Sequence, residues 1–323
     1  MTVQQLREYL THLPSGVVVT GHPAPDTDAV ISALFEAYRL TVAGTPAAPL
    51  VQDFLPRETA WLLGELASLV PVGTVPADTP LTLTDHHDVA RYSAPVVAVV
   101  DHHPLAPDTD LTGIDARVCP VGAATTLVAQ RLRQDGLTPD RVCARILLGA
   151  ILLDTEGLSP YKAKDEDRKT AQWLGSLCGE NAEDLFADLR RQLLAETDVT
   201  TLYRRDYRTY TDPDGRPLLG FAILKVWADA CPDLEAVRRL LAADEAPTRV
   251  AKIVLHHPTD DTRTEYYLAA GQWAELVLEA VAVAAGESAR RESADTVFLP
   301  ENARHWGRKR YAGPLTALLQ QKS

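Results

Sequence analysis

Val17-Val18-Val19-Thr20-Gly21-His22-Pro23-Ala24-Pro25-Asp26-Thr27-Asp28-Ala29-Val30 joins a β-branched run to a turn rich in glycine and proline, and an apolar helical pattern follows at once. Such a run reads as a buried strand and such a turn as the break before a helix. Open α/β sheets place ligands beyond the carboxyl ends of their strands, so an imidazole and two carboxylates on this turn suit a divalent cation. Taken alone, His-x3-Asp-x-Asp leaves a second reading open, in which Thr27 or Asp28 caps the helix and His22 packs against the turn.

Working outward, residues 2–13 predict a short amphipathic helix, and 29–40 a helix with Val30, Ile31, Leu34, Phe35 and Tyr38 at helical spacing. Residues 49–52 predict a second strand and 58–69 a helix. Two strand endings then repeat almost the same chemistry, Leu81-Thr82-Leu83-Thr84-Asp85-His86-His87 and Val96-Val97-Ala98-Val99-Val100-Asp101-His102-His103. Continuous apolar runs of this kind suit a parallel sheet covered on both faces. A helix running to about Asp135 follows Val121-Gly122-Ala123-Ala124-Thr125, and the apolar stretch 142–153 closes on Asp154, which we group with the strand ends.

The fold class expected is therefore α/β, with an N-terminal doubly wound, mainly parallel sheet over 1–190 and a second, smaller α+β domain over 191–323. Residues 182–196 read as the connector. In the second domain, 207–211 and 218–226 predict an antiparallel hairpin around Asp212-Pro213-Asp214-Gly215, with helices at 234–243 and 272–285 and a strand at 250–255.

The chain has 323 residues, 46% hydrophobic and 24% charged, which is ample for a packed core. Its net charge of −12 disfavours broad adhesion to nucleic acid or to an anionic membrane. An anionic substrate then needs a locally positive site, for which Arg308-Lys309-Arg310 is the candidate. Cys119, Cys143, Cys178 and Cys231 have no metal or disulfide spacing, and no signal peptide or membrane-length apolar run is present, so a cytoplasmic protein is expected.

The candidates gathered from the strand ends are His22, Asp26, Asp28, Asp85, His102 and Asp154, supported by His86, His87, Asp101 and His103. Six mixed oxygen and nitrogen ligands exceed the needs of one structural zinc and match two cations held ~3.5–4 Å apart. Imidazoles among carboxylates favour Mn²⁺ or Co²⁺ over the all-oxygen shell of Mg²⁺. Such a pair brings the pKa of a shared water toward neutrality for attack on phosphorus. Among the neighbours, Asp101 is expected to orient an imidazole, His256-His257 to be structural, Asp165-Glu166-Asp167 to be a solvated helix start, and His305 and Trp306 to pack beside the basic cluster.

Gly21-His22-Pro23-Ala24-Pro25-Asp26-Thr27-Asp28-Ala29, the Asp85 strand end, Asp101-His102-His103 and Leu153-Asp154-Thr155 together resemble the Asp-His-His phosphoesterase superfamily. Within it they are most similar to the manganese-dependent family II inorganic pyrophosphatases. Arg308-Lys309-Arg310, followed by Pro314, resembles the basic motif of the second domain in those enzymes, and Arg205 falls where a substrate-binding lysine is found. The resemblance implies two Mn²⁺ ions, with Co²⁺ or Mg²⁺ as substitutes. His22, Asp26 and Asp85 would hold one, and Asp28, Asp85, His102 and Asp154 the other. It further implies Asp26, Asp85, His103 and Lys309 as catalytic residues, and His103, Arg205, Arg308 and Lys309 as contacts to pyrophosphate, in a homodimer.

Two departures stand out. His87 replaces the asparagine usual in the pyrophosphatases, and Arg205 replaces lysine, exchanging a point charge for a planar fork. A short-polyphosphate hydrolase of the prune-like type is therefore the first alternative. An oligonucleotide phosphodiesterase of the RecJ and nanoRNase branch is the second, although no Gly-Gly-His segment is present. A non-catalytic binding module is the third.

Overall fold

The computed structural model describes residues 1–105, 109–196, 198–257, 262–301, 303 and 308–321. The chain divides into two compact units, Met1–Gln192 and Leu193–Ser323. His305 and Trp306 lie outside the described residues.

In the first unit the elements run α1 Val3–Thr11, β1 Val17–Thr20, α2 Thr27–Val42, β2 Ala47–Leu50, α3 Arg57–Leu63, β3 Leu81–Thr84, β4 Val96–Asp101, β5 Asp115–Val118, α4 Ala124–Gln134, α5 Arg141–Asp154, α6 Asp165–Cys178 and α7 Ala182–Leu194. The five strands form one sheet in the order β2-β1-β3-β4-β5, every pair parallel. Val18 and Val19 show why the run at β1 is continuous: Val19 packs with Ala33 and Ala37 of α2, while Val18 packs with Leu81, Leu83 and Val99. Successive side chains point to opposite faces, and both faces are covered.

The strand-to-helix turn depends on Gly21. A Cβ there would lie 2.7 Å from the carbonyl oxygen of Ala29, so the end of β1 can approach the first turn of α2 only without a side chain. The cap of α2 is neither Thr27 nor Asp28 but Asp26, whose Oδ1 accepts from the Ala29 N–H at 3.0 Å. Such a cap satisfies one of the helix's orphan N–H groups.

Several expectations need correction. Asp154 does not end a strand: residues 141–154 are helix α5, whose flanks from Ile146 to Leu152 are buried throughout. A helix buried all round has no polar face, and its length was the discriminating clue. Residues 58–69 begin as α3 and tighten into a 3₁₀ stretch at Gly64–Leu69. The stretch read as a connector instead sends Leu185 and Leu189 of α7 into the core of the first unit. Strand β5 and, in the second unit, α8, β9, β10, β11 and α11 were not anticipated.

Asp165 does open a helix, but Asp167 is not solvated. It is fully buried, and its carboxylate accepts from Gly122 N–H (2.7 Å), Lys164 N–H (2.7 Å) and the Thr126 hydroxyl (2.6 Å). One side chain thereby fastens the loop before α4 to the start of α6.

The second unit runs α8 Val199–Arg205, β6 Tyr207–Thr211, β7 Pro217–Trp227, α9 Leu234–Ala243, β8 Thr248–His256, β9 Arg263–Gly271, α10 Ala274–Ala285, β10 Arg290–Ser293, β11 Thr296–Leu299 and α11 Arg308–Gln320. Its sheet order is β10-β11-β9-β8-β7-β6, antiparallel except for the parallel pair β7 and β8. Leu219 and Phe221 of β7 pack with α10 and α11, whereas Ala222, Leu224 and Val226 pack with α8 and α9. Alternation along the strand thus supplies two cores, one on each face. The four cysteines are free, and among the described residues no helix is long and apolar enough to cross a membrane.

Asp167→Ala would leave two buried backbone N–H groups and a hydroxyl without their acceptor. Each unsatisfied group costs ~1–3 kcal/mol, so a loss of about 3 kcal/mol or more is expected. A thermal melt should show the first unit unfolding about 6–12 °C lower; an unchanged melting temperature would show that the acceptor is dispensable.

Candidate metal centre

The ends of β1, β3 and β4, neighbours in the sheet, deliver His22 and Asp26, Asp85, and Asp101-His102-His103 to the same edge. Asp28 comes from the first turn of α2 and Asp154 from the last residue of α5. Their ligand atoms fall within 4.8 Å of one another in three groups: His22, Asp26 and Asp85; Asp28, His102 and Asp154; and Asp85, Asp101, His102 and His103.

Asp85 stands in the middle. Its Oδ2 lies 3.5 Å from His22 Nε2, and its Oδ1 lies 3.1 Å from His102 Nε2 and 3.8 Å from His103 Nδ1. His102 Nε2 is also 3.5 Å from Asp154 Oδ2, and His22 Nε2 is 3.9 Å from Asp26 Oδ2. Asp85 is 2% exposed and has φ 61°, a left-handed backbone that a non-glycine residue adopts at a cost. Directly after the last residue of β3, that conformation redirects the chain, and the Asp85 N–H remains tied to the Val100 carbonyl at 3.0 Å.

The imidazoles are set by what their other nitrogen touches. His22 Nδ1 meets the Pro23 carbonyl at 2.8 Å, and His102 Nδ1 meets the Val121 carbonyl at 3.0 Å. A carbonyl can only accept, so both rings carry hydrogen on Nδ1 and present Nε2 to the carboxylates, as metal-binding histidines do. His86 cannot act likewise: Nδ1 donates to the Thr84 carbonyl at 3.0 Å, and Nε2 meets the Tyr92 hydroxyl at 2.9 Å. Burial pushes its pKa down to about 4.

Asp101, fully buried, orients imidazoles. Its Oδ1 accepts from His103 Nδ1 (2.8 Å) and from the backbone N–H of His102 (2.7 Å), and its Oδ2 accepts from His87 Nδ1 (2.5 Å). Asp28, 1% exposed, accepts from Ala124 N–H at 2.6 Å and Thr125 N–H at 2.8 Å, so it also caps the start of α4.

Burial, followed by the crowding of like charges, governs the electrostatics. Burial, then the charges of Asp85 and Asp154, holds Asp28 well above the usual carboxylate range, and burial with Asp26 and Asp85 pushes Asp154 up to about 6. Burial works against charge on His102, yet the neighbouring carboxylates, Asp85 first and then Asp28 and Asp154, raise it to about 11. Asp85 is buried too, but its two imidazole neighbours hold it below the usual range.

These donors fit a divalent cation. Asp85 Oδ1 is buried and makes no hydrogen bond among the described residues, while two imidazole Nε2 atoms and three further carboxylates converge beside it. Mixed nitrogen and oxygen donors match the borderline preferences of first-row divalent ions.

The other predicted site residues lie elsewhere in the chain. Arg205 ends α8 and donates from Nη1 to the Leu193 carbonyl at 3.1 Å, within the second unit. Arg308 and Lys309 open α11, and their side chains lie outside the described part. His257 Nε2 is 3.2 Å from the Thr264 hydroxyl, a structural contact.

Sequence reasoning overlooked two supports of the turn. Gln52 donates to the Gly21 carbonyl at 2.7 Å, and Asp53 accepts from the Ala24 N–H at 2.7 Å. Both follow the end of β2, so the rule that singled out the other strand ends would have found them.

Residues 16–152 match the model of the DHH family, N-terminal domain. A probable manganese-dependent inorganic pyrophosphatase of Deinococcus radiodurans is 32% identical over 213 residues, 62% of this chain and 67% of that protein. A manganese-dependent inorganic pyrophosphatase of Methanothrix thermoacetophila is 26% identical over 201 residues, 60% of this chain and 64% of its own length. A Methanococcus jannaschii structure assigned to family II inorganic pyrophosphatase superposes with a TM-score of 0.68 at 22% identity, covering 92% of this chain and 97% of that one, which shows the shared two-domain fold. With its Asp-His-His strand end and the aspartates around it, the chain belongs to the DHH family, among the relatives of the manganese-dependent inorganic pyrophosphatases.

Proposed function

We propose that the chain hydrolyses pyrophosphate to two phosphates, with two Mn²⁺ ions that the residues around Asp85 would hold. The observation that carries this reading is the position of that carboxylate, with Oδ2 toward His22 and Oδ1 toward His102. His22, Asp26 and Asp85 would hold one cation, and Asp28, Asp85, His102 and Asp154 the other. When bound, the two cations supply Lewis acidity that brings the pKa of a water toward neutrality and offsets phosphate charge.

The protein's own part is orientation. Carbonyl groups fix the Nδ1–H of His22 and His102, Asp101 fixes His103, and Asp26 is fixed by its cap to α2. His103, whose side chain is 37% exposed, would meet a phosphoryl oxygen through Nε2. Arg205, Arg308 and Lys309 would neutralise the phosphate in the manner of the pyrophosphatases the sequence resembles. The substrate is thus a small molecule, and the first unit is the metal-binding domain and the second the substrate-binding one. A cytoplasmic homodimer remains the accompanying proposal.

Phosphate release from pyrophosphate, tripolyphosphate and a dinucleotide, with Mn²⁺ and Mg²⁺ in turn, tests the reading. Pyrophosphate with Mn²⁺ should be turned over fastest. Faster tripolyphosphate turnover would favour the short-polyphosphate alternative suggested by Arg205, and dinucleotide cleavage would favour a phosphodiesterase. Asp85→Asn should cut phosphate release by about 10³-fold or more, because a shared anionic ligand is lost. Turnover near that of the unaltered chain would end the two-cation reading.

Removal of the metal gives a second test. Asp154, raised to about 6, contributes stability that is complete below its unfolded value of ~3.9 and lost as pH rises through 6. His102, raised to about 11, contributes stability that is complete below ~6.5 and lost as pH rises toward 11. Both signs agree, so chelator-treated protein should melt about 5 °C lower at pH 9 than at pH 6. Mn²⁺ should abolish that slope, because cations replace the protons. A calorimetric melting temperature that climbs with pH in the chelated protein would contradict the assignment.

A further inference from the structure

His87 follows His86 in sequence, but the two rings are treated differently. The protein closes both nitrogens of His86, against the Thr84 carbonyl and the Tyr92 hydroxyl. His87 gives Nδ1 to Asp101 Oδ2 at 2.5 Å, while no described residue takes its Nε2. The side chain as a whole is 17% exposed, and its Nε2 is not among the buried atoms without a partner.

Asp101 makes His87 and His103 a pair. The buried carboxylate accepts His103 Nδ1 on Oδ1 and His87 Nδ1 on Oδ2. Since an ionised carboxylate only accepts, each ring carries its hydrogen on Nδ1 and turns Nε2 away from Asp101. Holding two rotatable rings by a 0% exposed acid removes rotamer freedom before any ligand arrives.

We propose that His87 Nε2 is a second imidazole contact to the phosphoryl group of a phosphoanhydride substrate, beside His103. This inference rests on the proposed function and deepens it by naming a residue that sets substrate affinity. With Nδ1 committed to Asp101, Nε2 is the ring atom left to hydrogen-bond a phosphoryl oxygen. The pyrophosphatases that the sequence resembles usually have asparagine here. An asparagine amide nitrogen occupies the place of a histidine Nδ1, so it can hold Asp101 equally well but ends short of the substrate.

That equivalence separates the two roles of the ring. His87→Asn keeps a donor for Asp101 and deletes Nε2, whereas His87→Ala deletes both. The test is calorimetric titration of the Mn²⁺-loaded full chain with imidodiphosphate, together with KM and kcat for pyrophosphate and measurement of bound metal. In His87→Asn, imidodiphosphate should bind about tenfold more weakly and KM should rise by a similar factor, the scale of one hydrogen bond to a charged group. Metal content and melting temperature should hold. His87→Ala should show the same weakening plus a lower kcat, because His103 loses its fixed partner.

Unweakened imidodiphosphate binding by His87→Asn would overturn the proposal, leaving His87 only the role of holding Asp101. Loss of Mn²⁺ from that variant would overturn it as well, since Nε2 would then serve the cations. If the unaltered chain binds imidodiphosphate but releases no phosphate from pyrophosphate, only the proposed function fails. If it binds none, both fail.

Discussion

Four aspartates brought to one edge of the sheet, Asp28 and Asp85 of them buried, repel one another, and the first unit is arranged around that repulsion. Asp26, Asp28, Asp85 and Asp154 come from a turn, a helix start, a strand end and a helix end, so no short segment carries the whole cost. The molecule offsets the charge locally in three ways. His22 and His102 face Asp85, the Ala29 N–H in the first turn of α2 holds Asp26, and the N–H groups of Ala124 and Thr125 at the start of α4 hold Asp28. What remains is best relieved by cations, because protonation already competes there, as the raised pKa of Asp154 shows.

The parallel sheet is the means of convergence. Parallel strands all end on one edge, so motifs separated by many residues in sequence meet without any long loop folding back. The helix starts on the same edge add N–H groups pointing toward the acids. Gly21 lets β1 and α2 meet closely enough for His22 and Asp26 to face Asp85. Positive φ at non-glycine residues gathers around the turns of the site, at Ala24, Asp53 and Asp85, and again just after α5 at Glu156 and Leu158.

Much of this was legible in sequence because the signals are local. A β-branched run, a Gly/Pro turn and Asp-His-His endings locate β1, β3 and β4 and their polar ends without reference to packing. Two misreadings share a different cause. Helix α5 lost its helical signature because apolar neighbours surround its central turns, and Asp167 resembled a solvated helix start because its acceptor role depends on Gly122, 45 residues away. Strands β9 and β11 pair antiparallel with their sequence neighbours β8 and β10 as well as with each other, so the short connections before them were turn signals that the sequence reading passed over. At the His22 turn the cap falls on Asp26 and not on Thr27 or Asp28, and that carboxylate caps α2 with Oδ1 while Oδ2 faces His22.

The same economy recurs at Asp28, and it explains why the ligand groups depend on one another. The Asp28 carboxylate holds the first N–H groups of α4, and the loop just before that helix supplies the Val121 carbonyl that fixes His102. Asp167 holds the next residue of that loop, Gly122, where a Cβ would lie 2.8 Å from its Oδ2. An imidazole of the cluster is therefore oriented by a loop that a carboxylate of the same cluster helps to anchor. Substitutions at Asp28, Gly122 and Asp167 should then not act additively on His102, because each moves the same short piece of backbone. A change distant from the cluster can disturb it as much as loss of a ligand, and the residues that hold the loop belong to the site as fully as those that face its centre.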